Sequence, residues 1–185
     1  MATQSATKRS GYTYEDYLKF PDDVRCEIIN GDIYDMTPSP SSRHQMVSGE
    51  IYRLISNHLR KQNHVCRVFH AFLDVVLAED QVVQPDVFVV CDSEVVKTWI
   101  FGVPDVIFEV ASPSTSLKDR REKMQLYERF GVKEYFLVDP DAEFIEKYVL
   151  HDAKYNWRVG IYAGDDTFQI DTIGLQMTAR EIFTL

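Results

Sequence analysis

The spacing of apolar residues changes period repeatedly along the chain, and each change marks an element. Cys26 to Met36 alternate around Asn30-Gly31, which predicts a β-hairpin closed by a tight turn. Ahead of it, Thr13 caps a short predicted helix that Pro21 ends. Between Arg43 and Gln62 the period becomes helical: Val47, Ile51, Leu54, Ile55 and His58 share one face. Strands are expected over Cys66 to Phe69, Ala71 to Ala78 and Asp86 to Val90, followed by an irregular or briefly helical stretch from Ser93 to Gly102. Pro104 to Ala111 is apolar almost without interruption, the pattern of a strand covered on both faces. Ser112 to Ser116 reads as a turn and helix cap. Leu117 to Phe130 reads as a helix with Gly131 just past its end, and Glu134 to Asp139 as another buried strand. After Asp139-Pro140 the alternation returns, with antiparallel strands over Ala142 to Leu150, Tyr155 to Ala163 and Thr167 to Ile170. Thr178-Ala179-Arg180-Glu181 has the spacing of a capping box and opens a last short helix. This order predicts an α/β fold: a mixed sheet flanked by helices, with antiparallel hairpin additions.

The 185 residues suit one domain, expected over 13–185 behind a disordered lead-in at 1–12. No apolar run approaches the ~20 residues of a membrane span, and Met1 to Ser10 have no apolar core of a secretory signal. Cys26, Cys66 and Cys91 are odd in number and lack a C-x-x-C pairing, so they read as free thiols in a reducing, cytoplasmic setting. A net charge of −9 argues against coating nucleic acid by bulk attraction. It leaves room for an enzyme that gathers carboxylates around a metal and meets phosphate locally.

Candidate chemistry centres on two acids. Asp86 follows Pro85 at the start of a strand, and Glu109 lies in the middle of the next strong one. Carboxylates on neighbouring strands can share a divalent cation, because hard ions take oxygen ligands. A charged Glu among Phe108 and Val110 needs a partner, since burying it alone costs several kcal/mol. The helix that follows offers one: Lys123 falls inside the apolar arc formed by Leu117, Met124, Leu126, Tyr127 and Phe130, with Asp119 one turn before it. Lys118, Arg120, Arg121, Arg129 and Lys133 read as a solvated face rather than a phosphate strip. His44 points inward at the start of the long helix, and Glu50 lies at the edge of the same face. Glu27, on the first hairpin, is a further candidate acid.

Pro85-Asp86 followed by Glu109-Val110-Ala111 resembles the P-D…(D/E)-x-K motif of restriction-endonuclease-like nucleases, with Ala111 where the motif has Lys. Further segments extend the likeness: Glu27-Ile28-Ile29-Asn30-Gly31-Asp32, Pro38-Ser39-Pro40 with His44-Gln45, and Gly102-Val103-Pro104-Asp105. So do Ser112-Pro113-Ser114-Thr115, Asp119-Arg120-Arg121-Glu122-Lys123 with Tyr127, and Gly131-Val132-Lys133-Glu134-Tyr135 with Val138-Asp139-Pro140. Over about residues 13–182 the chain resembles the Uma family of restriction endonucleases, in the PD-(D/E)XK superfamily. The resemblance implies a restriction-endonuclease-like fold and a Mg²⁺-dependent DNA endonuclease, with Mn²⁺ as a substitute ion. It implies Asp86, Glu109 and the Val110 carbonyl as metal ligands. Lys123 takes the place of the motif lysine, and Glu27, His44, Glu50 and Asp119 are further candidates. A homodimer is expected, since cutting a duplex takes two sites. The rival readings are a catalytically inactive nucleic-acid- or protein-binding module of the same fold, and a structural or regulatory homo-oligomer.

Overall fold

The computed structural model describes residues 11–21, 23–36, 39–112, 117–152, 154–155 and 160–184. Thr13 caps α1 (Tyr14–Tyr17) through a full capping box with Asp16. The predicted hairpin forms as β1 (Cys26–Ile29) and β2 (Asp32–Asp35). Asn30 and Gly31 both take positive φ, 54° and 72°, as a two-residue turn matched to strand twist requires. The Gly31 carbonyl accepts the N–H groups of Gly11 and Tyr12, each at 3.0 Å.

The long helix α2 (Ser42–Lys61) is capped by the Ser41 side chain. β3 (Arg67–His70), β4 (Val75–Ala78), β5 (Gln81–Val83) and β6 (Val87–Val90) follow. Next come β7 (Ile100–Phe101), β8 (Val106–Val110), α3 (Leu117–Phe130) and β9 (Glu134–Asp139). α3 ends as expected: Gly131 has φ 85°, and the Val132 N–H returns to the Tyr127 carbonyl. Beyond it lie β10 (Phe144–His151), β11 (Lys154–Tyr155), β12 (Gly160–Ala163), β13 (Thr167–Ile170) and β14 (Leu175–Thr178). α4 (Ala179–Phe183) follows, with its capping box from Thr178. β5, β7 and β14 are strands that the pattern did not announce. The turn and cap expected at Ser112 to Ser116 fall largely on 113–116, outside the described residues.

One sheet has the order β11-β10-β9-β8-β6-β3, with β12 also on β10; a second has the order β2-β1-β5-β4-β7. β8 and β9 run parallel, joined through α3; β6 and β3 run antiparallel to their neighbours. The α/β mixed architecture is thus as expected. Alternation divides the larger sheet between two cores. Val87, Val89, Val106, Phe108 and Val110 pack with Val47, Ile51 and Ile55 of α2. Phe88, Val90, Ile107 and Tyr135 pack with Leu126 and Tyr127 of α3 and with Ile29, Val75 and Val83 of the smaller sheet. The C-terminal end of β8 therefore opens between two helices and a second sheet.

The cysteines depart from expectation. The register pairs Arg67 with Val90, so one step further along the ladder Cys66 faces Cys91, and the two form a disulfide. Only pairing register reveals that neighbourhood, and sequence spacing does not. Cys26 is the free cysteine, and it is buried. Among the described residues no helix is long and apolar enough to cross a membrane.

Candidate active site

Glu109 shares its strand parity with Ile107, which turns it toward α3. There its Oε1 accepts from the Tyr127 hydroxyl at 2.7 Å and from Lys123 Nζ at 3.1 Å. Lys123 and Tyr127 are one turn apart on α3, so a single helix face delivers both. Lys123 also meets Glu27 Oε1 of β1 at 2.8 Å, and that oxygen accepts the Gln84 N–H at 2.9 Å. Glu27, Glu109, Lys123 and Tyr127, from three elements, thus converge around one buried ammonium, whose side chain is 14% exposed.

Asp86, just before β6, approaches from the other side. Its Oδ2 accepts the Val110 N–H at 2.7 Å and stands 3.3 Å from His44 Nε2 at the start of α2. It also lies within electrostatic reach of both Glu109 and Lys123. The structure therefore brings together Asp86, Glu109, Lys123, Glu27 and His44 around the end of β8. It sends Glu50 elsewhere: that side chain ion-pairs with Arg53, three residues along the outer side of α2. Asp119 lies on α3 with its side chain outside the described residues. Tyr127 was expected only as core. Its place one turn after Lys123 was the available signal that its hydroxyl would reach what Lys123 reaches.

The charges are mutually adjusted. Burial pushes the Glu109 carboxyl up to about 7; Lys123 and the Tyr127 hydrogen bond oppose this, while Asp86 and Glu27 add to it. Burial works against the Lys123 charge, but Glu109, Glu27 and Asp86 outweigh it and hold the ammonium far above its ordinary range. Burial also opposes the His44 charge, and Asp86, Glu109 and the Val110 carbonyl overcome it, so its pKa is raised. The Tyr127 hydroxyl, desolvated beside Glu109, is raised well above its usual value.

The donor set suits a hard divalent ion. Among the described residues, Asp86 Oδ1 and Glu109 Oε2 make no hydrogen bond, and the Val110 carbonyl meets the His44 ring. Two buried polar atoms of the cluster, His44 Nδ1 and Gln84 Oε1, have no hydrogen-bond partner among the described residues, as at a place meant for water or ligand. No group of three or more His, Cys, Asp or Glu among the described residues is close enough to hold an ion by itself.

Residues 14–180 match the family Uma2, described as "Putative restriction endonuclease". An uncharacterized protein of Synechocystis sp. is 30% identical over 174 residues, covering 91% of this chain and 90% of that one. The crystal structure of "a putative nuclease belonging to DUF820" from Anabaena variabilis superposes with a TM-score of 0.78 at 20% identity, over 93% of this chain and 97% of its own. At that identity the likeness establishes a common fold.

Proposed function

The chain belongs to the Uma2 family, and from that premise and the cluster at the end of β8 we propose that it is a Mg²⁺-dependent DNA endonuclease. The observation that carries the reading is Lys123. It occupies, from α3, the position beside Glu109 that the motif normally fills from the strand, where this chain has Ala111. A simple loss of the motif lysine would have left Glu109 without a cation.

Asp86, Glu109 and the Val110 carbonyl would hold Mg²⁺, or Mn²⁺ in its place; such an ion supplies polarisation of the scissile phosphate and a bound water of lowered pKa. The attacking water gives up one proton to bulk solvent as its oxygen bonds to phosphorus; the bond from phosphorus to the leaving sugar oxygen breaks, and that oxygen takes up a proton from solvent. Lys123 stays protonated throughout the neutral range, so it orients the attacking water and offsets charge developing on the phosphate, and it is not the base. Glu27 and Tyr127 keep Lys123 and Glu109 in place from behind. The protein acts as a homodimer, which puts one site on each strand of a duplex.

The test is cleavage of plasmid and linear DNA with Mg²⁺ or Mn²⁺, by the wild type and by Lys123→Ala. Metal-dependent cleavage that Lys123→Ala loses supports the reading. Binding without cleavage would favour an inactive nucleic-acid-binding module, and neither binding nor cleavage a structural oligomer.

A further inference from the structure

The charge of this chain is segregated. Residues 41–72 carry five Lys or Arg and one acid, Glu50, so this segment stands at +4 and the rest of the chain at −13. Four of the five histidines lie there too. The segment is α2, β3 and the links beside them. Two of its arginines are committed elsewhere: Arg43 donates to the Pro140 and Phe183 carbonyls and pairs with Glu143, and Arg53 pairs with Glu50. Arg60, Lys61 and Arg67 are exposed and make no ion pair among the described residues.

Arg60 and Arg67 both line a cleft of about 470 Å³ between α2 and β3, which Ser56, Asn63 and His64 also line and no carboxylate lines. β3 is the outer strand of the larger sheet and leads from this cleft to the site. His70, at its far end, packs against Tyr52 of α2 at 4.8 Å between ring centroids, and the Ala71 N–H donates to the Asp86 carbonyl at 3.0 Å. Next in the chain, Phe72 is 58% exposed with the Arg25 guanidinium 3.7 Å over its ring, adding one more cation at the site end.

We infer that the cleft between α2 and β3 and the outer edge of β3 form the track that binds the phosphodiester backbone of DNA and leads it to Asp86. The ligand rests on the nuclease reading; the track rests on the unpaired arginines, the acid-free cleft and its continuity with Asp86. Arg67 to Ala71 spans four strand residues, about 13 Å at ~3.3 Å each. Phosphates of one strand lie ~3.4 Å apart along the duplex axis, so the cleft engages those about four nucleotides from the scissile one. The track does not include α3.

The test is binding of a fluorescent duplex in EDTA across a range of salt, read as the slope of log affinity against log salt. Removing a cation that neutralises one phosphate lowers that slope by about one. Arg60→Gln/Arg67→Gln should therefore lower it by about two, and Arg60→Lys/Arg67→Lys should restore it. Lys19→Gln/Lys97→Gln removes the same charge from outside α2, β3 and the cleft and should leave the slope at the wild-type value. An unchanged slope in Arg60→Gln/Arg67→Gln, or no binding by the wild type at low salt, overturns the inference. Cleavage is read separately with Mg²⁺. A wild type that cleaves while its slope ignores Arg60 and Arg67 sinks the track alone. One that binds through them and never cleaves sinks the nuclease reading alone.

Discussion

Two buried lysines sit between carboxylates in this molecule, and their surroundings differ in one informative respect. Lys123 lies between Glu27 and Glu109; Lys147, on β10 with its side chain 5% exposed, lies between Glu134 and Asp171. Around Lys147 the main chain fills the remaining valences of Glu134 and of the ammonium. Glu134 accepts the N–H groups of Asp171 and Thr172 at 2.9 and 2.7 Å, and Lys147 donates to the Gln169 carbonyl at 2.6 Å. That cluster pins the turn between β13 and β14 onto β9 and β10. Around Lys123 the partners are mostly side chains, a third acid stands near, and carboxylate oxygens remain open among the described residues. A buried lysine between acids is therefore not by itself a sign of catalysis. Unfilled oxygens on carboxylates held mostly out of solvent, as at Asp86 and Glu109 but not at the exposed Asp171, are what separate a site from a staple.

The largest expected effect breaks the staple. Lys147→Met leaves Glu134 buried without its cation and should cost about 3–5 kcal/mol, a drop in Tm on the order of 10 °C. Per folded molecule, cleavage should be unchanged. A variant that melts with the wild type would mean that the Lys147 cluster is as open as the other.

Substitutions at the open cluster should do the reverse. Asp86→Ala and Glu109→Ala should each lower the cleavage rate about a hundredfold or more, by analogy with losing one charge-stabilising group. Each should keep the wild-type Tm or exceed it, because removing one acid relieves repulsion among Asp86, Glu109 and Glu27. Lys123→Ala should lose cleavage similarly and melt somewhat early, with Glu109 taking up a proton to limit the damage. Replacing Glu109 and Lys123 together by apolar residues should recover the Tm but not the cleavage. If Lys123→Ala instead falls as far as Lys147→Met and the wild type cleaves nothing, the two lysines have the same, structural, job.

Titration sharpens the contrast. Unfolded, Glu109 ionises near its ordinary value of 4.5; folded, burial holds its proton to about pH 7. Between those values the folded state keeps a proton that the unfolded chain has lost, so stability in metal-free buffer should fall as pH rises from about 4.5 to 7. His44 acts in the same direction: its raised pKa lends stability at low pH that is lost as pH rises past the folded value. Glu109→Gln should flatten the curve of Tm against pH, leaving the His44 slope. Lys147 also has a raised pKa, but its ordinary value is 10.5, so its own titration lies outside this window. A wild-type Tm that rises across it would contradict the assignment at Glu109.

Much of the open cluster was legible in the sequence because it follows from periodicity. Strand parity put Glu109 on one face, helical angle put Lys123 on the buried side of α3, and Pro85-Asp86 marked the start of β6. Residues whose roles depend on contacts between distant elements were not legible. Glu27 could be named only as a candidate, since nothing local shows that β1 crosses over Lys123. Tyr127 looked like core because its ring is core, and only its hydroxyl is not. Glu50 misled because its position at the edge of an apolar face fits a partner on either side, and Arg53 supplied the outer one. Cys66 and Cys91 depended on register. β5 and β7 are short, and neither carries enough residues for a period to appear. Lys147 sits in an alternating strand where its inward direction could have been read, but its partners lie 13 and 24 residues away on other elements.

The smallest expected effect is the most discriminating. A divalent ion that takes the open oxygens of Asp86 and Glu109 must displace the Glu109 proton, so it binds more weakly at acid pH than at pH 8. At ten times its dissociation constant it adds about 1.4 kcal/mol to the folded state, a few degrees in Tm. Mg²⁺ or Mn²⁺ should therefore raise the wild-type Tm at pH 8 and scarcely at pH 5. The rise should vanish in Asp86→Ala, where one ligand is gone. It should persist in Lys147→Met despite that variant's lower starting point, because both Glu134 oxygens are already taken there and the one open carboxylate oxygen, Asp171 Oδ1, sits on an exposed side chain. If neither ion moves the wild-type Tm at either pH, the oxygens around Lys123 are open in name only, and the cluster holds the fold together as the one around Lys147 does.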